Sequence, residues 1–265
     1  MEAPHTISIR EPDGSIVTFE PHRLLPSTSR LAKEYAANGY PDRYVVFAEK
    51  QLRARQTASR GDDVETVSGM FMSMILRPSF FPSQASLLGA MSSVALIRAL
   101  EEHTDRPLGL GWVTDLYCGG VRIGNVTIEG KLDSFTAYEH LIISFSVIMD
   151  SENFPPRMTD MIKQVFDSEN TSISMIMARN VLDKFFRYYP TIKSSKKFMD
   201  TYVSKFALRG VTVKCELDGK KRSCKIIDVD RQSGSLIVDA GELGIQRITS
   251  PSLISIPKKI RLRKQ

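Results

Sequence analysis

Apolar and polar positions along the chain follow two periods, and the changes between them mark out the elements. Residues 5–20 alternate as two short strands turned at Pro12-Asp13-Gly14, a cluster that supplies a fixed φ and a residue free to take positive φ. Ser27-Thr28-Ser29 then offers a helix cap, followed by Leu31, Ala32, Tyr35 and Ala36 at helical spacing and a stop at Gly39. A strand over 44–48 leads into the polar stretch 51–68, where Arg53, Arg55, Arg60, Asp62, Asp63 and Glu65 show almost no period. A long loop is expected there.

The second third is strand-rich around one helix. An apolar strand spans 70–76, and Pro82-Ser83 opens a helix to about 103 with Leu87, Leu88, Met91, Val94, Ala95 and Ala99 on its buried side. Strands follow over 110–117, 121–128 and 141–149, the first two joined through Gly119-Gly120 as a hairpin. Helical spacing returns over 158–189, as two helices broken near Asn170, and 190–206 forms a helix or linker. From 210 to 256, short alternating strands are separated by Asp218-Gly219, Ser233-Gly234 and Gly241, the rhythm of a small β-barrel. The chain is thus α+β, a mixed sheet with helices packed on it over 1–206, a barrel over 207–257 and a tail over 258–265.

Composition adds less than the patterning does. With 42% hydrophobic and 25% charged residues the 265-residue chain has a globular composition, not a disordered or fibrous one. Three cysteines without CxxC spacing imply a reducing compartment, and no leader or membrane-length apolar run is visible, so a cytoplasmic protein is expected. The net charge of +6 invites a nucleic-acid reading, but Lys258, Lys259, Arg261, Arg263 and Lys264 carry five of those charges in the last eight residues. No DNA and no membrane partner is expected.

The segment Gly111-Trp112-Val113-Thr114-Asp115-Leu116-Tyr117, followed by Arg122-Ile123-Gly124-Asn125-Val126-Thr127-Ile128-Glu129, resembles the biotin protein ligase family, whose pattern is K-W-P-N-D-[LI]-Y then K-[LI]-x-G-[IL]-L-x-E. Ser27-Thr28-Ser29 looks like the family's S-T-N, and Ala48-Glu49-Lys50-Gln51 with the basic loop looks like A-E-x-Q-x-x-G-R-G-R-x-G. The strands over 69–76 and 141–149, and the small C-terminal barrel, fall in the family's order as well.

The resemblance implies a biotin/lipoate ligase-like catalytic domain with a C-terminal SH3-like barrel, using ATP, Mg and biotin to modify the biotin carrier domain of a carboxylase. Biotin's carboxylate attacks the α-phosphate of ATP, and a carrier lysine then takes the acyl group from biotinyl-AMP. Two anions must approach each other, so cations and backbone N–H groups are needed at the phosphate. By this resemblance Arg122 is the catalytic residue. Ser27, Thr28, Gln51, Arg55, Ile123 and Gly124 hold the acid; Arg55, Thr57, Trp112 and Asp115 hold the nucleotide, with Asp115 also the magnesium ligand. A homodimer is compatible with it.

Departures matter as much as matches. Arg122 stands where the family has its lysine, and a planar fork is not a compact ammonium. Ala54-Arg55-Gln56-Thr57-Ala58-Ser59 keeps one arginine of G-R-G-R-x-G and none of its glycines. Gly111 replaces a lysine, Thr114 an asparagine and Asn125 the motif glycine, while Ser144, Ser146 and Ile148 stand for G-x-G-x-N. Three functions stay open: a short ligase without an N-terminal DNA-binding unit, a degenerate member that binds without catalysing, and a lipoate or octanoyl transferase relative. Residue by residue, Ser27 or Thr28 is also an ordinary cap, Trp112 an ordinary core residue and Asp115 an ordinary turn residue.

Overall fold

The computed structural model describes residues 5–54, 64–80, 82, 87–104, 106–149, 172–192, 196–256 and 260. Strands β1 (Ile7–Arg10) and β2 (Ile16–His22) pair antiparallel across the expected turn, where Gly14 takes φ +81°. Helix α1 (Thr28–Ala37) then carries the chain over to β3 (Tyr44–Ala54), which lies parallel to β2. Ser27 caps α1, its Oγ accepting from Arg30 N at 3.2 Å, a bond worth about 1 kcal/mol.

Strand β4 (Val64–Leu76) pairs antiparallel with the whole of β3, with Leu52 opposite Thr66 and Arg53 opposite Glu65. The two ends of the expected loop over 51–68 are therefore strand, the outer arm of a hairpin, and 55–63 lie outside the described residues. Polar residues hide this arm from a periodicity search because the pairing is made by backbone groups, which need no apolar face.

Helix α2 (Leu88–Glu101) is apolar almost all round and buried over nearly its whole length; 83–86, where the spacing starts it, lie outside the described residues. The strand expected over 110–117 is two strands, β5 (Leu108–Leu110) and β6 (Asp115–Cys118), separated by a bend at 111–114. Gly119 and Gly120, at φ +58° and +89°, turn β6 into β7 (Val121–Leu132), which pairs with β8 (Tyr138–Ile148). The eight strands run β1-β2-β3-β4-β8-β7-β6-β5. Helices α3 (Ile173–Tyr188) and α4 (Lys196–Lys205) follow; the helix expected before Asn170 lies outside the described residues.

The C-terminal strands β9 (Thr212–Leu217), β10 (Lys220–Val229), β11 (Leu236–Asp239) and β12 (Ile245–Ile248) form where the alternation places them. A fifth, β13 (Ile254–Ser255), too short to leave a period, returns beside β9, giving the antiparallel order β12-β11-β10-β9-β13.

Each face of the large sheet buries its own set. Val45, Phe47, Met70, Met72, Met74, Ile143, Phe145 and Val147 pack with α2 and α3 in a cluster that continues into Val213, Cys215, Ile226 and Val238 of the small sheet. Tyr44, Val46, Ile75 and Ile142 pack instead with Ala32 and Ala36 of α1. α1 rests mainly on β3, β4 and β8, and reaches β7 through the Lys33–Glu129 ion pair.

Candidate functional site

A chain of side-chain hydrogen bonds begins at the first turn of α1. Thr28, 3% exposed, receives Gln51 Nε2 at 2.8 Å on its Oγ1, which also lies 2.9 Å from Ser73 Oγ. Ser73 Oγ in turn lies 2.8 Å from Ser144 Oγ, so four polar side chains from α1, β3, β4 and β8 form one line. When the protons run from Ser144 to Ser73 to Thr28, Thr28 accepts two bonds and keeps its own proton for a ligand. Gln51 keeps its carbonyl oxygen as an acceptor among the described residues. The end of the site under α1 is thus a paired donor and acceptor held by buried hydroxyls.

Strand register carries the same face outward. Ser73 pairs with Ser144 and Ser144 with Thr127; one row along, Phe71, Ser146, Asn125 and Asp115 stand opposite one another across four strands. Directly opposed residues point to the same side of a sheet, so Asp115 shares the face of Ser144, two strands across and two residues along, about 12 Å away at ~4.8 Å per strand and ~3.4 Å per residue.

Asp115 Oδ1 meets Arg122 Nε at 3.2 Å, with the carboxylate side chain 15% exposed and the guanidinium side chain 39%. Burial pushes the Asp115 carboxyl above the usual carboxylate range, and the Arg122 charge beside it works against that rise. The neighbouring Tyr117 phenol is pushed up to about 12, chiefly by burial, with Asp115 adding to the rise.

The 111–114 bend sets where Asp115 stands. Gly111 N donates to Asp115 O at 2.8 Å, and Val126 N donates to Thr114 O at 3.1 Å. The buried Tyr202 hydroxyl of α4 lies 2.9 Å from both Gly111 O and Val113 O. A side chain at 111 has no room, since its Cβ would fall 2.8 Å from the Tyr117 ring and 2.9 Å from Asp115 Cβ. The missing lysine at 111 is thus built into the packing.

The expected site residues fall into three groups. Thr28 and Gln51 meet, and so do Asp115 and Arg122. Ser27 spends its hydroxyl on the helix cap, Ile123 is buried in the core, and Gly124 abuts β8, where a Cβ would sit 2.2 Å from Ser146 O. Trp112, 3% exposed, lies in the joint between the two sheets, its indole N–H donating to Gly234 O at 2.8 Å. Arg55 and Thr57 lie outside the described residues. Ser73 escapes a sequence reading focused on motifs, although it is the one hydroxyl in the apolar run Met70-Phe71-Met72-Ser73-Met74-Ile75-Leu76, and that is a signal.

The eight-stranded mixed sheet with helices on both faces is the fold of the biotin protein ligases, as comparison with solved structures shows. No family model matches the chain. It is 27% identical over 140 residues to the bifunctional ligase/repressor BirA of Bacillus subtilis, covering 52% of this chain and 43% of that protein, so the match spans less than half of that relative. Among solved structures, the biotin protein ligase from Aquifex aeolicus in complex with biotin and ATP superposes with a TM-score of 0.63 at 20% identity, over 89% of this chain and 97% of the other. A biotin protein ligase-like protein of unknown function from Silicibacter gives 0.58 at 15% identity, over 88% and 94%. The chain has the biotin protein ligase fold and is biotin protein ligase-like.

Proposed function

We propose that the protein joins a small acid to a nucleotide in the manner of a biotin protein ligase: ATP-dependent attachment of biotin to a carrier-domain lysine by way of biotinyl-AMP. The supporting observation is one sheet face on which a hydroxyl line runs from Thr28 and Gln51 to Ser144, with the Asp115–Arg122 ionic pair about 12 Å beyond Ser144, an arrangement that suits an extended acid whose head is polar. A ureido head presents a carbonyl and N–H groups to Thr28 and Gln51. An apolar dithiolane or acyl tail would leave those buried hydroxyls unmatched, at about 1–3 kcal/mol for each orphaned group, which disfavours the lipoate and octanoyl alternative.

In this reading Arg122 offsets the repulsion between the acid's carboxylate and the α-phosphate. Asp115 is the residue that would hold magnesium. One carboxylate suffices for an ion that is otherwise bound by phosphates, and the ion would neutralise phosphate charge when bound. The acid-activating unit is residues 1–206, the SH3-like barrel 207–257, and the setting cytoplasmic, with a carboxylase's biotin carrier domain as acceptor and a homodimer as one assembly. No DNA is involved.

A second reading, a family member that binds the acid without activating it, is favoured by the Arg122–Asp115 contact itself. Arg122 must leave Asp115 to meet a phosphate, whereas a binding protein can keep the pair closed. Incubation with biotin, ATP and magnesium separates the two. Pyrophosphate release supports the ligase, and biotin binding by calorimetry without pyrophosphate supports the binder. Neither outcome would end both readings.

A further inference from the structure

The outer face of the small sheet carries a hollow of about 290 Å³, lined by Thr212, Val213, Lys214, Ser223 and Ser255. Strand register explains why these side chains converge. Lys214 of β9 stands opposite Ser223 of β10 on one side and Ser255 of β13 on the other, so two hydroxyls flank its ammonium at roughly 5 Å per strand. Thr212 lies two residues back along β9 on the same face.

The polar groups that line this hollow are uncommitted. Among the described residues, Lys214 makes no ion pair, and Thr212, Ser223 and Ser255 make no side-chain hydrogen bond. Charges nearby are matched by register instead. Glu216, two residues along β9 on the same face, stands opposite Lys221, and Asp239 opposite Lys225, so Lys214 has no carboxylate opposite it on either neighbouring strand. A lysine can only donate, and three hydroxyls around it can all turn to donate, so the lining suits an oxyanion, while the ammonium charge repels a cation.

We propose that this hollow is a binding site for a single oxyanion, a phosphate or a carboxylate group, centred on Lys214 and gripped by Ser223, Ser255 and Thr212. The site is independent of the Thr28–Arg122 face and of the function proposed for it. Its ligand contacts are exposed, so the affinity for a bare ion is on the order of 1–10 mM and falls with added salt.

The test uses the full chain labelled with ¹⁵N and titrated with inorganic phosphate, and separately with acetate, at constant ionic strength held by sodium chloride. Saturable shifts of the Lys214, Ser223 and Ser255 amides are expected, weakened at least tenfold in Lys214→Gln and several-fold in Ser223→Ala, with the remaining spectrum unchanged. Saturation by phosphate alone assigns a tetrahedral ligand, and saturation by both assigns oxyanions in general. Shifts that fail to saturate with either ion, or that are the same in Lys214→Gln, overturn the proposal. Both positions are exposed, so neither variant is expected to unfold.

Discussion

Replacing Thr28 by valine keeps the side-chain volume and removes one oxygen, which isolates the role of the hydroxyl line. Two groups lose their acceptor: Gln51 Nε2 at 2.8 Å and Ser73 Oγ at 2.9 Å. They do not suffer equally. Ser73 still has Ser144 at 2.8 Å, and Gln51 is half-buried and able to take water. The expected loss is therefore about 1–2 kcal/mol, below the sum for two orphaned groups. For a chain of this size that lowers Tm by about 2–8 °C. Ser73→Ala removes the middle of the same line, so the double variant loses less than the two single losses added, with a coupling of about 0.5–1 kcal/mol. Urea unfolding followed by far-ultraviolet circular dichroism on the four proteins measures the cycle. Calorimetry with biotin on Thr28→Val reads the site, where at least tenfold weaker binding is expected. Additive losses within about 0.3 kcal/mol, together with unchanged biotin affinity, would refute the idea that the line is a built ligand contact.

Other expectations follow from neighbouring geometry. Gly124→Ala places a Cβ 2.2 Å from the backbone oxygen of Ser146, which the sheet cannot yield cheaply, so a loss of about 2–3 kcal/mol is expected in thermal unfolding. Trp112 is the single tryptophan and sits in the joint between the sheets, so its fluorescence change on urea unfolding should coincide with the loss of circular dichroism; two separated transitions would mean that the two sheets do not share one cooperative core. Asp115 has a folded pKa above its unfolded value near 3.8, so the fold favours its protonated form. Stability from this group is present below that value and falls as pH rises through the folded pKa, and Asp115→Asn should flatten this slope in urea midpoints measured across that range. Arg122→Ala removes the charge that opposes the rise, and carboxyl-carbon NMR should find Asp115 titrating higher still.

The fold was legible wherever burial imposed a period. The β1–β2 turn, the Ser27 cap and the strands over 70–76 and 121–128 stand out because one face must be apolar and the turn residues must take particular φ values. The hairpin arm Gln51–Ala54 against Val64–Ser68 was not legible, since the backbone ladder pairs it and its short mixed segments carry no strong apolar period. The 111–114 bend was hidden for a different reason. Its cause is distant in sequence, in the Tyr202 hydroxyl and the Gly234 carbonyl that fasten it.

For the candidate site, the family resemblance singled out Thr28, Gln51, Asp115 and Arg122, while the register that sets two pairs on one face came only with the strand order. Gly111 illustrates the limit of reading by alignment. Its departure from lysine looks like decay in one dimension, yet in three it is the condition for Tyr117 and Asp115 to pack as they do.

The most direct test of the central claim is pyrophosphate release by the full chain with biotin, ATP and magnesium, run beside Arg122→Ala and Arg122→Lys. The proposed ligase releases pyrophosphate, loses that activity in Arg122→Ala while remaining folded, and retains or gains it in Arg122→Lys. Release that is unchanged in Arg122→Ala would contradict the role given to Arg122, and no release with any of the three, in a protein that also fails to bind biotin, would contradict the ligase function itself.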